Sequence, residues 1–224
     1  MTARVSAQDP ITRFCLWLAA GLLLASLATR VAADALEDAM TAYREQDYDK
    51  AVELFRPLAE NGNANAQYML GTCYIEGKGV KPDDKTAVMW FQRAANQGDA
   101  RAQYNLGASY AEGTGVDKSD EQAARWFTRA ANQGMVYAEF NLALLYAAGN
   151  GVKQDNIEAF KWLEIAFRSL DAGGPRSDVA RAMTDVAAKM TRDELDEARV
   201  RARRWKAQPE MAMGRTGATA PQAH

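Results

Sequence analysis

The chain has 224 residues, 48% hydrophobic and 25% charged, a globular composition that excludes wholesale disorder. Its 27 basic and 29 acidic residues leave a formal charge of −2, which supplies no broad attraction for nucleic acid or anionic lipid. Two cysteines cannot build a disulfide scaffold or a four-thiolate zinc site, and the single histidine is the terminal His224, so no ordered histidine base, triad or metal cluster is expected.

Residues 1–33 have the pattern of an export signal. Arg4 and Arg13 precede an uncharged apolar run from Phe14 to Ala28, and Val31 and Ala33 occupy the −3 and −1 places of a small-residue cleavage site. Cleavage between Ala35 and Leu36 is the alternative register. As a helix the run would be about 22 Å long against roughly 30 Å of hydrocarbon, short for a permanent span. An uncleaved membrane anchor is the competing reading. Cleavage removes Cys15 along with three arginines and Asp9, and leaves a more acidic, periplasmic chain. Cys73 then has no intrachain partner and is expected as a small buried core residue, a reactive thiol being the alternative.

Residues 35–63 predict a short opening helix pair, in which Ala51 and Phe55 recur at helical spacing, Tyr48 stands where later copies have a loop, and Pro57 is expected to bend the second helix. Internal repetition follows. Residues 64–99 align without a gap on 100–135, and 21 of the 36 positions are identical. A third copy at 136–171 keeps Leu142, Tyr146, Gly149, Gly151, Val152, Ala159, Trp162 and Ala166. It replaces AANQG by AFRSL, as expected where an array stops.

Each copy predicts two helices. In the second, Ala102, Leu106 and Tyr110 are helically spaced, as are Ala123, Phe127 and Ala131 after the loop EGTGV. Gly113 and Gly115 are expected to give that loop positive φ, and Asp120 (Asp84 and Asn156 in the other copies) to cap the following helix. Gly98 and Gly134 close the second helices. Short connections force antiparallel hairpins that stack side by side. Gly107 is expected to let the second helix approach closely. Trp90, Trp126 and Trp162 recur every 36 residues and are expected in the core between repeats, with a ligand cage as the alternative.

Gly173-Gly174-Pro175 breaks the register within a closing segment, 172–207. Helices are expected near 177–189 and 192–206, with Ser177 and Thr191 as caps and Thr191 with Glu194 as a capping box. The last helix carries acids early and arginines late, complementing its dipole; a basic patch for nucleic acid or membrane is the alternative. Leu195, Ala198 and Trp205 are expected to seal the last repeat. Residues 208–224 lack a core pattern and are expected as a disordered tail.

Leu106, Gly107 and Tyr110 match the L-G-x-x-Y of the tetratricopeptide signature, and Ala123 with Phe127 its A-x-x-x-F. With a period of 36 residues and the string AQYNLGASYAEGTGV…AARWFTRAANQG, residues 64–166 closely resemble the Sel1-like repeat family. The resemblance implies an all-α fold, a right-handed α/α superhelix (solenoid) of stacked antiparallel helix pairs. It also implies an adaptor that organises protein complexes, many bacterial members being exported. Some cysteine-rich members are linked to penicillin binding, and this chain lacks their cysteine framework.

No phosphate-binding G-x-x-x-x-G-K-[ST], G-x-S-x-G elbow, H-E-x-x-H or C-x-x-C occurs. Glu76 and Glu112 are repeat-related acids at the ends of first helices, expected as exposed groups; a catalytic pair would have to face across about 5 to 9.5 Å. No catalytic residue, metal ligand or cofactor is expected, and the chain is not expected to be an enzyme. By the resemblance, first helices line the inner surface. That places Asn65, Tyr68 and Met69 there, then Arg101, Tyr104 and Asn105, then Tyr137, Phe140 and Asn141. The alternative for Tyr68, Tyr104 and Phe140 is repeat packing.

The reading is an exported scaffold of the bacterial envelope that binds a protein or peptide on its concave face. It excludes nucleic acid, and membrane contact is expected only if the first segment is retained. The competing readings are a wall-active hydrolase or β-lactam-binding protein, and a membrane-tethered subunit of an envelope complex.

Overall fold

A computed structural model describes residues 33–170 and 176–208, which contain helices and no strand. Helix α1 covers 33–44. It is followed by α2 (Tyr48–Glu60), α3 (Ala64–Glu76), α4 (Asp84–Asn96), α5 (Ala100–Glu112), α6 (Asp120–Asn132), α7 (Val136–Ala148), α8 (Asn156–Ser169), α9 (Arg176–Ala187) and α10 (Arg192–Arg204). From α2 through α8 each helix packs on the next, and α10 returns onto α8, the arrangement of an all-α solenoid. The export segment up to Ala32 and the tail beyond Gln208 lie outside the described residues, as does Gly173-Gly174-Pro175.

The second helix of each repeat starts one residue earlier than its acidic pattern implies. Asp83 accepts from the Lys85 and Thr86 amides (3.1 and 3.2 Å), Ser119 from Gln122 (3.2 Å), and Asp155 from Ile157 and Glu158 (2.9 and 3.0 Å). Asp84, Asp120 and Asn156, expected as caps, are instead the first helical residues. The reason is geometric: the cap must sit in extended backbone with its oxygen over the free amides of the next turn. Ser177 likewise lies inside the first turn of α9, whereas Thr191 and Glu194 form the expected capping box.

Between α5 and α6, Gly113 stops the helix in the left-handed region (φ 78°). Its amide and that of Thr114 both donate to the Ser109 carbonyl (2.8 and 3.0 Å). Gly115 has a second, inter-repeat duty. A Cβ there would lie 2.4 Å from the Asp84 carbonyl oxygen, at the start of the preceding second helix. Gly79 meets Tyr48 and Gly151 meets Asp120 in the same way. The loop is thus seated on the backbone of the neighbouring repeat, which ties one stride to the next.

Packing follows the same stride. Trp90 is buried with Ala51, Phe55, Leu70 and Cys73. Trp126 is buried with Ala87, Phe91 and Leu106, and Trp162 with Phe127, Leu142 and Leu163. Each tryptophan therefore shares a core with the second helix of the preceding pair and the first helix of its own, burying on the order of 200 Å2. Arg93 and Arg129 lie over Trp90 and Trp126 (4.6 and 4.5 Å to the ring centroids) and cover their outer faces. Gly107 allows Phe127 to press against α5, where a Cβ would fall 2.7 Å from the ring. Cys73 is fully buried, and burial pushes its thiol up to about 11, so it is a core residue and not a nucleophile.

The last helices close the stack. Trp205 meets Trp162 edge-on at 5.7 Å, Ala198 is fully buried, and Leu195 packs on the same cluster. Two arginines of the basic end of α10 are engaged within the chain: Arg201 pairs with Glu158 of α8 (2.7 Å) and with Glu197 (2.5 Å), and Arg199 pairs with Asp196 (3.5 Å), while Arg203, Arg204 and Lys206 are exposed.

Candidate functional site

Helices α3, α5 and α7 lie side by side, and the predicted site residues touch one another along them. Arg101 donates from Nη2 to Asn65 Oδ1 (2.6 Å), and its guanidinium sits 4.3 Å from the Tyr68 ring centroid. Tyr104 is 6.1 Å from Tyr137 and hydrogen-bonds the Asn141 side chain. Burial pushes the Tyr104 hydroxyl up in pKa, and the bond to Asn141 opposes that. Tyr68 and Tyr104 also pack on Phe91 and Phe127 (6.0 and 5.8 Å) while staying only half-buried, so these rings support the fold on one side and offer surface on the other. Asn105, Phe140 and Asn141 are half-buried, and Tyr137 is 51% exposed.

One expectation needs correction. Met69 does not face outward: it is 8% exposed and belongs to the α1–α3 core, because its place on the helix turns it toward α2. Arg101 is engaged at the start of its own helix. Asp99 grips its guanidinium twice (Nη2 to Oδ2 2.6 Å, Nε to Oδ1 3.2 Å).

Between α3 and α5 the face deepens into a groove of about 390 Å3. Its walls include Tyr68, Thr72, Ile75, Phe91, Asn105 and Ala108. Glu76, Glu112 and Thr114 line its loop end. Tyr68, Thr72 and Ile75 are spaced i, i+4, i+7 on one helix face, a signal in the sequence that would have added Thr72 and Ile75 to the predicted face. Glu76 is held by Lys78 (2.7 Å) and accepts from the Tyr43 hydroxyl (3.1 Å). Glu112 has no hydrogen bond or ion pair among the described residues, and it stands at the carbonyl end of α5, where the helix dipole adds to its negative charge.

The groove therefore offers an apolar wall, an amide and a negative end. Among the described residues, no hydrogen bond joins the groove hydroxyls Thr72, Ser109 and Thr114 to Glu76 or Glu112. Among the described residues no group of three or more His, Cys, Asp or Glu is placed to hold a metal ion, and no helix is long and apolar enough to cross a membrane.

A second cleft, about 490 Å3, lies where α10 meets α6 and is lined by Arg129, Arg204, Trp205, Lys206 and Gln208. The Gln208 amide donates to the Asn132 carbonyl (2.8 Å), so the described residues after α10 run to the end of α6.

Two solved structures are similar to this chain. One is a Sel1 repeat protein from Oxalobacter formigenes, with 30% identity, a TM-score of 0.61, and coverage of 70% of this chain and 62% of that one. The other is c5321, described as a protective antigen present in uropathogenic Escherichia coli strains displaying an SLR fold. It has 26% identity and a TM-score of 0.52, with coverage of 78% of this chain and 46% of that one. The similarity thus spans less than two thirds of the length of either protein. No curated protein matches. Repeats at 41–63, 64–99, 100–135 and 136–169 match the Sel1 repeat in four consecutive copies, and on that ground the chain belongs to the Sel1 repeat family.

Proposed function

We propose that this chain is a non-catalytic binding module that holds an extended segment of a partner protein along the face formed by α3, α5 and α7. Sel1 repeat proteins generally mediate protein–protein interaction. The observation that carries the assignment of the face is the α3–α5 groove, with its half-buried Tyr68 beside the core ring of Phe91, the Asn105 amide and an unpaired Glu112 at one end. Those groups are complementary to a segment presenting an apolar side chain beside a lysine or arginine. Tyr68, Arg101, Tyr104, Asn105, Tyr137, Phe140 and Asn141 form the proposed contact surface, Arg101 acting as a brace for Asn65 and Tyr68.

The test is selection of displayed peptides on the full chain, followed by titration of the winners. Enriched peptides should carry Lys or Arg next to an apolar residue. Glu112→Lys and Asn105→Ala should each weaken binding about tenfold or more. Met89→Ala, at an exposed position of α4, should leave it unchanged. Equal binding by all four proteins would remove the face.

The proposal extends to location: export through the apolar run at 14–28 with cleavage near Ala33, giving a partner in the bacterial envelope. Intact mass of the chain from fractionated cells tests this. A species beginning at Asp34 in the periplasmic fraction is expected, and a full-length membrane-bound species would replace export with tethering.

A further inference from the structure

In the first two full repeats a buried glutamine of the first helix works in two directions. Gln67 donates from Nε2 to the Ala59 carbonyl (2.9 Å), and Gln103 does the same to Ala95 (3.1 Å). Each Oε1 accepts from a glutamine at the end of the second helix of the same repeat, Gln97 for Gln67 (2.7 Å) and Gln133 for Gln103 (2.8 Å). The third repeat changes both members. Glu139 stands at the place of Gln103, and Ser169 at that of Gln133. Ser169 turns its hydroxyl back to the Ile165 carbonyl (3.2 Å) and supplies no donor to Glu139.

Glu139 is 0% exposed, and neither of its carboxylate oxygens has a hydrogen-bond partner. Ionised, it would be a buried anion facing the place where its counterparts find a backbone carbonyl, oxygen against oxygen. Protonated, it has an O–H where glutamine has its N–H. We propose that the folded chain carries Glu139 as a neutral carboxylic acid that replaces the repeat glutamine as donor to the Ala131 carbonyl, which makes the α6–α7–α8 junction a proton-sensitive point in the array.

The charged group that faces Glu139 is Arg168 of α8, which favours the anion. Its guanidinium is directed to the carbonyls of Glu164 (3.2 Å) and Ala202 (2.7 Å). The other helices that meet α7, which are α5, α6 and α9, set no charged or titratable group against Glu139 among the described residues, and neither does α7 itself. Burial therefore dominates and lifts the carboxyl from 4.5 to about 7. With the unfolded chain titrating at the ordinary value, the stability tied to the neutral acid is complete below about pH 4.5. It is lost as the pH rises through about 7.

The experiment uses the full chain in two arms. A carbon-13 titration of glutamate carboxyls, with Glu139 assigned by comparison with Glu139→Gln, should give that carboxyl a midpoint near 7. Urea unfolding of both proteins at pH 5 and pH 8 should show the wild-type unfolding constant rising relative to the variant's on the order of 100-fold across that interval. A midpoint in the ordinary carboxylate range, or parallel pH dependence in the two proteins, would overturn the proposal. Should Glu139→Gln fail to fold, assignment through the α7 amides still delivers the midpoint.

Discussion

The second repeat (α5 and α6) and the third (α7 and α8) share a backbone plan but solve three local problems differently. In the second, Gly107 leaves room for Phe127; in the third, Ala143 faces the smaller Leu163, and both are fully buried. One methyl gained on the first helix is matched by a ring lost on the second, so total volume is kept. In the second, Asp99 caps α5 through the Arg101 and Ala102 amides (both 3.0 Å); in the third, Met135 offers α7 no side-chain cap. The glutamine relay Gln133–Gln103–Ala95 has become Ser169 beside Glu139. Apolar packing absorbs paired changes because shape can be compensated, whereas a polar group taken from water needs a specific partner.

The largest effect is expected where the repeats agree. Gly115→Ala and Gly151→Ala each combine positive φ (73° and 67°) with a Cβ driven onto a neighbouring carbonyl. Each should cost about 3 kcal/mol in urea unfolding. Costs differing by more than about 1 kcal/mol would mean the two loops are not seated alike.

Next is the packing swap. Gly107→Ala alone should lose about 1–3 kcal/mol through the clash with Phe127, and Leu163→Phe against Ala143 a similar amount. Gly107→Ala with Phe127→Leu rebuilds the third repeat's solution inside the second, and a double-mutant cycle should return a favourable coupling of about 1–2 kcal/mol. Additive losses would show that the two positions do not share one volume.

Ser169→Gln restores the missing donor to Glu139. It should stabilise by about 1–2 kcal/mol at pH 8, where the carboxylate is ionised, and by less at pH 5. An equal gain at both values would separate the donor from the carboxylate. Smallest is the cap. Asp99→Ala should lose about 1 kcal/mol, and Met135→Asp should gain less than that, because the methionine's partial burial on the core is given up. Thermal unfolding of the pair reads both.

Much of the fold was legible because it repeats. The stride of 36 residues places Trp90, Trp126 and Trp162 in successive cores, and Gly113 with Gly115 in a loop whose conformation few other residues adopt. Less was legible at the helix starts. Asp83 and Asp84 are adjacent and chemically equal as caps, and only the direction of the incoming loop selects the first. At the candidate face, the engagement of Arg101 by Asp99 and the burial of Met69 arise from neighbours that periodicity does not name. What distinguishes Glu139 from an exposed glutamate is its complete burial, which its neighbours in space impose.

Sequence by itself determined the paired helices, their stride and the apolar residues that must be hidden, since each follows from local geometry and from the inability of one hairpin to cover its own oily side. Tertiary structure alone decided which polar atoms lose water together. Whether a carboxylate stays charged, an arginine is spoken for or a groove has a negative end depends on groups brought within a few ångströms by different helices, and electrostatics at that range is set by neighbours in space.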